Sequence, residues 1–447
     1  MALVSRERPA TVPLSFAQRR LWTLSQLGTT AGTYNIPLVT RLLGSLYDVA
    51  LEAALADVVA RHESLRTVFP ATDGNPCQVI LDPEEARPYL HVVHTDEAGV
   101  ETALAAALRS EFALDTDLPL RAQLLHLGPE EHVLVLVLHH IAGDAWSLGP
   151  LAADLAAAYT ARIVGEAPRW APLPVQYADY TLWQRELLGD ETDPDSEISR
   201  QLAHWTQALA GLPDELTLPT DRPRPEEAGH EGGLVPLVLD TALHAGLLDL
   251  ARSSRTTVSM VLQTVLATVL TRLGAGTDIP IGTPVAGRGD EALDDLVGFF
   301  VNTLVLRTDT SGDPTFRELL ARVRETDLAA YAHQDVPFER VVDAVNHPRS
   351  LARHPLFQVM LSLDNAPRAN AGLAGLTSGE APAPAGDGSG RAKFDFSVRL
   401  VERFTAEGAP AGLSGSAAFA VDLFDRETVE SMAGRFVAVL RAVVADA

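Results

Sequence analysis

The sequence predicts an α/β protein in which helices flank mixed β-sheets, and two patterns carry this prediction. Residues 49–65 and 257–273 repeat apolar side chains at helical spacing. Residues 118–127 and 132–138 form two strand-like runs joined by a polar turn, and the second run is almost entirely apolar. A strand without alternation is typical of the centre of a sheet that is covered on both faces.

The other elements follow in chain order. Helical spacing returns at residues 151–163, and short apolar runs predict strands at 279–285, 303–307 and 357–363. Asp48 is a candidate N-cap of the first helix, Gly274 is a candidate end of the helix over 257–273, and a terminal helix is expected from Asp425. The pattern has no internal repeat, and it predicts one α/β chain with two domains.

The composition excludes several classes of protein. The chain has 447 residues, a hydrophobic fraction of 47% and a net charge of −24, which repels phosphate backbones and argues against nucleic-acid binding. Lys393 is the only lysine, so a phosphate loop with its lysine and a Schiff-base lysine are both excluded. Cys77 is the only cysteine, which excludes a disulfide framework. With neither a secretory nor a membrane-spanning apolar run, we expect a cytoplasmic protein without membrane contact.

The most informative stretch begins with two histidines at the end of the apolar run. Since successive strand side chains point to opposite faces, His139 and His140 cannot both face one ligand. One side therefore offers too few ligands for a metal, and no metal site is predicted. Asp144, next to the apolar Trp146, needs a partner if it is buried. We interpret Asp144 as an arginine-paired residue that holds the loop rather than as a reacting group.

Several segments resemble the core motifs of nonribosomal peptide synthetase condensation domains. His139, His140 and Asp144 resemble their HHxxxDG signature. Six further segments follow the family's order: SFAQRRLW at 15–22, RHESLRTVF at 61–69, YADYTLW at 177–183, VGFFVNT at 297–303, HQDVPFE at 333–339 and RSLARHPL at 349–356. Seven motifs in sequence are specific, and they extend the resemblance over essentially the whole chain.

The resemblance implies a fold and a reaction. It implies two chloramphenicol-acetyltransferase-like lobes in a V-shaped pseudo-dimer, with residues 1–175 as the N-terminal lobe that carries the HHxxxD loop and residues 176–447 as the C-terminal lobe. A donor acyl or peptidyl thioester would be transferred to the amine of an acceptor aminoacyl thioester near His140, the expected catalytic residue. Upstream and downstream peptidyl carrier proteins would deliver both on phosphopantetheine arms, with no cofactor bound to the chain itself and an adenylation domain nearby in a longer synthetase.

The same resemblance assigns supporting residues around His140. His139, Gly143, Asp144 and Ala145 belong to the loop itself. Arg288 is the preferred partner of Asp144, with Arg66 as the alternative. Ser147, Trp146 and Asn302 are expected near the site or along the substrate tunnel, although a backbone-capping role competes for Asn302.

One residue departs from the family pattern, which has glycine after the motif aspartate where this chain has Ala145. Alanine would be strained there if the position required a positive φ, and it would narrow a passage if the glycine made room for an arm. The first and sixth motifs favour the subtype that takes an L-configured donor and an L-configured acceptor. The alternatives are a free-standing acyltransferase of the same fold and a catalytically silent platform on which carriers dock.

Overall fold

The computed structural model describes residues 2–26, 32–72, 74–229, 231–346, 350–364, 372–379 and 391–446, so that Arg349 of the last motif lies outside the described residues. The helices are α1 (Phe16–Gln26), α2 (Asp48–Arg61), α3 (Glu97–Leu108), α4 (Leu148–Arg162), α5 (Tyr177–Leu188), α6 (Glu197–Ala208), α7 (Thr241–Ser254), α8 (Val258–Arg272), α9 (Phe316–Tyr331), α10 (Phe338–Val345) and α11 (Arg426–Ala445). The strands are β1 (Val12–Pro13), β2 (Asn35–Leu43), β3 (Thr67–Val68), β4 (Ala71–Thr72), β5 (Asn75–Ile80), β6 (Leu90–His94), β7 (Leu120–Gly128), β8 (Glu131–His139), β9 (Gly232–Leu239), β10 (Asp278–Val285), β11 (Asn302–Asp309), β12 (Val359–Asp364), β13 (Thr377–Gly379), β14 (Phe396–Phe404) and β15 (Pro410–Ala420).

The chain divides into two compact units, each made of several segments. The first unit comprises Met1–Gly189, Ala286–Val301 and Ala366–Ser389, and the second comprises the remaining segments, Asp190–Val285, Asn302–Asn365 and Gly390–Ala447. This partition differs from the single predicted division after residue 175. Helix α5 groups with the first unit because its tyrosines pack into that core, and residues 286–301 return to the same core.

A five-stranded mixed sheet organises the first unit and has β8 at its centre. The strand order is β13-β2-β8-β7-β6, antiparallel except for the parallel pair β6–β7. Leucines 134, 136 and 138 of β8 pack in the core that contains α2 and α4, whereas valines 133, 135 and 137 pack with α3 on the opposite face. This burial on both faces explains why residues 133–138 of the strand are all apolar.

The second unit contains a six-stranded mixed sheet in the order β11-β10-β12-β14-β15-β9. The pairs β10–β12 and β12–β14 are parallel and the others are antiparallel. Helix α8 is buried along most of its length, and Thr257 caps its first turn by accepting a hydrogen bond from the backbone nitrogen of Met260. Gly274 follows with a φ of +96°, as the sequence predicts for a residue that ends a helix.

Most predicted elements lie within a few residues of the observed ones, but the predicted role of Asp48 is wrong. The cap position belongs to Tyr47, which makes no side-chain cap, and Asp48 is the first helical residue of α2. Its carboxylate instead contacts Nε2 of His126 at 3.1 Å, a residue on β7. No helix among the described residues is long and apolar enough to cross a bilayer.

Candidate active site

The two motif histidines have different environments at the end of β8. His139 is the last strand residue and points to the α3 face, where its ring meets Phe112 edge-on with centroids 5.6 Å apart. Its Nδ1 accepts a hydrogen bond from the backbone nitrogen of Ile141 at 3.1 Å. Burial, with a smaller contribution from His140, lowers the pKa of His139 to about 3. His139 is therefore neutral at physiological pH and forms part of the packed interior.

His140 follows the strand and is only half-buried. Its backbone nitrogen donates to the carbonyl of Tyr34 at 2.8 Å, which fixes the main chain at the end of the sheet. Its ring packs edge-on against Phe299, with centroids 4.7 Å apart and planes at 61°. Of the two imidazoles, His140 is the one that a ligand outside the core can reach.

Asp144 and Ser147 lock the loop that follows. Asp144 is 1% exposed, and its Oδ1 accepts from the backbone nitrogen of Ser147 at 2.9 Å and from the Ser147 hydroxyl at 2.8 Å. Its Oδ2 accepts from the backbone nitrogen of Phe300 at 3.0 Å. Ser147 is fully buried, and its hydroxyl also lies 2.9 Å from the carbonyl of Gly298. Both side chains are engaged in holding the loop, which leaves Ser147 no access to substrate as a nucleophile.

Arg288, rather than Arg66, lies beside the motif carboxylate. Its Nη2 is 3.4 Å from Oδ1 of Asp144 and 3.1 Å from the Ser147 hydroxyl, and its guanidinium lies 4.4 Å from the centroid of the Phe300 ring. Arg66 donates instead to the carbonyl of Leu81 and lies near Glu63. The buried pair of Arg288 and Asp144 is charge-balanced, as the burial of two ions requires.

The small residues of the loop have separate roles. A side chain at Gly143 would place its Cβ 2.3 Å from Cδ2 of Leu138, so any larger residue there would force the Leu138 side chain to move. Ala145 does not have a positive φ, so this position does not require glycine for conformational reasons. Ala145 and Trp146 are half-buried.

Asn302 belongs to the second unit, where backbone groups occupy its carboxamide. Its Nδ2 donates to the carbonyls of Gln334 and Val336, each at 2.8 Å. Its Oδ1 accepts from the backbone nitrogens of Thr303 at 2.9 Å and Phe338 at 3.1 Å. Asn302 therefore fastens residues 334–338 to the start of β11, which is the capping role that the sequence analysis left open.

Four residues that shape this site have no role predicted from the sequence. The segment of residues 297–300 is buried next to the motif loop, and Phe299 of this segment touches His140. His62, Ser64 and Tyr177 hold the segment through its backbone: Val297 N lies 3.3 Å from Nδ1 of His62, Val297 O 2.7 Å from the Ser64 hydroxyl, and Phe299 O 2.7 Å from the Tyr177 hydroxyl. All four lie in motifs that the sequence shares with the family, which was the available signal.

The site contains no arrangement for a metal ion. Within the described ranges, no three His, Cys, Asp or Glu side chains lie close enough together to bind one. The residues at hand offer one accessible imidazole on a rigid mount, a buried ion pair and an aromatic wall. Such a set can orient an amine and accept a proton from it, and needs no covalent intermediate.

Comparisons with known proteins agree on one family. The condensation-domain profile matches residues 9–447. The chain is 55% identical over 445 residues to the probable non-canonical nonribosomal peptide synthetase CymA of Salinispora arenicola (strain CNS-205), and 52% identical over 445 residues to a dimodular nonribosomal peptide synthase of Bacillus subtilis (strain 168). All of this chain is covered in both cases, but it spans only 6% and 18% of those relatives.

Solved structures give the same result for the fold. The X-domain from teicoplanin biosynthesis matches with a TM-score of 0.91 and 39% identity, covering 100% of this chain and 98% of that one. The same X-domain in complex with OxyB matches with a TM-score of 0.90 and 38% identity, covering 100% and 96%. The two-lobed, chloramphenicol-acetyltransferase-like α/β fold is shared with further condensation-domain structures.

Proposed function

The chain belongs to the condensation-domain family, whose members form amide bonds, and we propose that it joins two carrier-bound substrates through one peptide bond. The donor would be an acyl or peptidyl thioester and the acceptor the α-amine of an aminoacyl thioester. The single observation that carries the proposal is the placement of His140. Its ring is half-buried at the end of the central strand, packed on Phe299 and followed by a loop fixed by buried hydrogen bonds.

The chemistry matches this sparse set of groups. The acceptor nitrogen attacks the donor carbonyl, the C–N bond forms, and the C–S bond breaks with the electron pair leaving on sulfur. A thiolate is a good leaving group, because thiol pKa values lie near 8.5. The nitrogen must lose a proton, and a neutral imidazole at position 140 can accept that proton or hold the amine in line for attack. Holding two thioesters in place supplies much of the rate enhancement.

The other loop residues act by keeping His140 in position. Asp144, Arg288 and Ser147 form a buried network that fixes the loop, and His139 anchors the strand end from the opposite face. None of these four is proposed to touch substrate. The assignment of His140 as the catalytic residue, and of the others as its support, is part of the proposal.

The partners follow from the same proposal. Relatives of this chain are nonribosomal peptide synthetases far longer than 447 residues, which supports carrier proteins and an adenylation domain as neighbours. Upstream and downstream peptidyl carriers would present donor and acceptor on phosphopantetheine arms, and the L-configured donor subtype is the proposed specificity. Such a system takes part in antibiotic and other secondary metabolism.

A second function has one observation in its favour. The X-domain from teicoplanin biosynthesis, which shares the fold and 39% identity, has been solved in complex with OxyB. By analogy, this chain would serve as a platform that recruits a protein partner to a carrier-bound peptide. The intact pair His139 and His140 supports catalysis over recruitment alone, because a recruiting platform has no need of an accessible imidazole.

The decisive experiment loads two carrier proteins with aminoacyl thioesters and looks for a dipeptidyl thioester on the acceptor by mass spectrometry. The proposal expects product with the wild-type chain and a loss of about 10²–10⁴-fold with His140→Gln. His91→Gln, an exposed histidine of β6, is the matched control and should retain full activity. Carrier binding with both thioesters intact would favour the platform, and transfer to a soluble amine without an acceptor carrier would favour a free-standing acyltransferase.

A further inference from the structure

A buried segment without regular secondary structure runs beside the motif loop. Residues 297–300 belong to neither helix nor strand, yet all four are buried. Buried backbone groups need hydrogen-bond partners, and here side chains supply them. These partners are His62 and Ser64 on Val297, Ser147 on Gly298, Tyr177 on Phe299 and Asp144 on Phe300. The position of the segment thus depends on a few identifiable contacts.

Two of these contacts hold the same residue, Val297, and both come from side chains of the second motif. The Ser64 hydroxyl donates to the carbonyl of Val297 at 2.7 Å, while the backbone nitrogen of Val297 donates to Nδ1 of His62 at 3.3 Å. His62 is fully buried, and its Nε2 lies 2.7 Å from Oδ2 of Asp154. Since Nδ1 accepts a hydrogen bond, the ring proton must sit on Nε2 and point to Asp154.

Phe299 connects the contacts that hold Val297 to His140, the proposed reacting group. Phe299 is 8% exposed as a residue, and its ring lies edge-on to His140, with centroids 4.7 Å apart. An aromatic wall at this distance limits the directions in which the half-buried imidazole can turn. A shift of Val297 carries Phe299 with it, because only Gly298 lies between them.

We propose that His62 and Ser64 are positioning residues that hold Val297 so that Phe299 fixes the orientation of the His140 ring. This inference rests on the proposed function, in which His140 meets the acceptor amine. In this proposal, residues of the second motif affect catalysis by positioning His140, without touching the substrate themselves. A displacement of about 1 Å in a reacting group can cost on the order of 10²-fold in rate, so a remote grip can matter.

The charge state of His62 supports this geometry. Burial lowers the pKa of His62 below its ordinary value of 6.5, although the hydrogen bond to Asp154 raises it. Arg61 lowers it further, and Asp295, near the held segment, raises it slightly. The neutral ring is the form that can accept from Val297, since a protonated ring would point a second donor at that N–H.

Two substitutions at His62 separate its hydrogen bond with Val297 from its hydrogen bond with Asp154. The carboxamide of Asn reaches the place of Nδ1 and can still accept from Val297, whereas that of Gln reaches the place of Nε2 and can still donate to Asp154. We expect His62→Asn to stay within about threefold of the wild-type kcat and His62→Gln to lower kcat by about 10–100-fold with KM little changed. Equal effects of the two substitutions would overturn the proposal.

A readout that needs no turnover tests the same link. In protein labelled with ¹³C-histidine, the Cε1–H resonance of His140, identified by its loss in His140→Gln, reports its distance from the Phe299 ring. His62→Gln should shift this resonance, and His62→Asn should not. Phe299→Leu should shift it as well, and the double variant His62→Gln/Phe299→Leu should lose no more activity than Phe299→Leu alone. Multiplying losses would contradict a shared path.

Ser64→Ala provides a milder test should His62→Gln unfold the chain. It is expected to reproduce the shift of the His140 resonance and the fall in kcat. The matched control is Thr264→Val, which removes a buried hydroxyl that donates over the same 2.7 Å in the second unit and should leave both unchanged. An unchanged His140 resonance in Ser64→Ala would refute the inference, whereas a wild-type chain that makes no dipeptide would refute the proposed function instead.

Discussion

Asp144 accepts a hydrogen bond from the backbone nitrogen of Phe300 across 3.0 Å, and so joins the HHxxxD loop to a segment 156 residues further along the chain. The same carboxylate lies against Arg288 and Ser147, and it is 1% exposed. Asp144 therefore holds the motif loop in place through these contacts. Its place in the sequence, four residues after His140, reflects the length of loop that reaches this position.

Removing the carboxylate of Asp144 should destabilise the protein strongly. Asp144→Ala leaves Arg288 buried without its counter-charge and the Phe300 N–H without an acceptor, and such a break costs about 3–5 kcal/mol of unfolding free energy. Urea denaturation followed by circular dichroism measures it. Glu166→Ala, which breaks the exposed pair of Glu166 and Arg169, is the control and should change stability by less than about 0.5 kcal/mol. A comparably small effect at Asp144 would show that its network is dispensable.

Glycine at position 145 should be tolerated. The family pattern has glycine there, but Ala145 adopts no positive φ and is half-buried, so neither residue is strained. We expect Ala145→Gly to lower the unfolding free energy by at most about 1 kcal/mol, through the greater freedom of glycine in the unfolded chain, and to keep the activity. Thermal denaturation and the dipeptide assay measure both. Loss of folding or activity would show that the loop is tuned to alanine.

His139 should make the protein acid-sensitive. The pKa of His139 is about 6.5 in the unfolded chain and about 3 in the fold, so the unfolded chain binds more protons and stability falls as pH drops below 6.5. From pH 7.5 to 5 this single group should remove about 2 kcal/mol. His139→Asn keeps an acceptor for Ile141 and cannot titrate. Urea unfolding at both pH values should therefore show a smaller loss in the variant; an equal loss would mean that His139 does not stay neutral in the fold.

The sequence predicts the scaffold of the site better than its contacts. The uniformly apolar residues 133–138 mark β8 as central, and the alternation of strand side chains separates His139 from His140, because both are properties of neighbouring residues. Family motifs supply the identity of the loop. These features need no knowledge of distant segments.

Contacts between distant residues are harder to predict. Arg288 and Arg66 were both candidates for Asp144, and only the folded chain brings residue 288 to it across 144 positions. Asp48 looked like a helix cap, yet its partner is His126 on another element. The side chains that hold residues 297–300 come from three separate stretches, residues 62–64, residues 144–147 and Tyr177. Local pattern carries no information about which of many polar residues meets which backbone group.

A second titrating group is buried in the second unit. Asp327 on α9 is 1% exposed and accepts a hydrogen bond from Nε2 of Gln263 at 3.0 Å. Its Oδ2 and the Oε1 of Gln263 have no hydrogen-bond partner among the described residues. A protonated Asp327 carboxyl would supply the hydrogen-bond donor that these two oxygen atoms otherwise lack. Burial raises the pKa of Asp327 to about 7, against the opposing effect of Gln263.

Replacing this carboxyl should stabilise the protein at alkaline pH. The pKa of Asp327 rises from 3.8 in the unfolded chain to about 7 in the fold. The folded state therefore binds this proton more tightly, and the unfolding free energy that the proton contributes is lost as pH rises through that range. Asp327→Asn stays neutral, so its unfolding free energy relative to wild type should increase by about 3 kcal/mol between pH 5 and pH 8. Urea unfolding at the two pH values measures this difference. Asp249→Asn, at an exposed position on α7, should show no such increase, and a pH-independent difference for Asp327→Asn would mean that the carboxyl is ionised in the fold throughout this range.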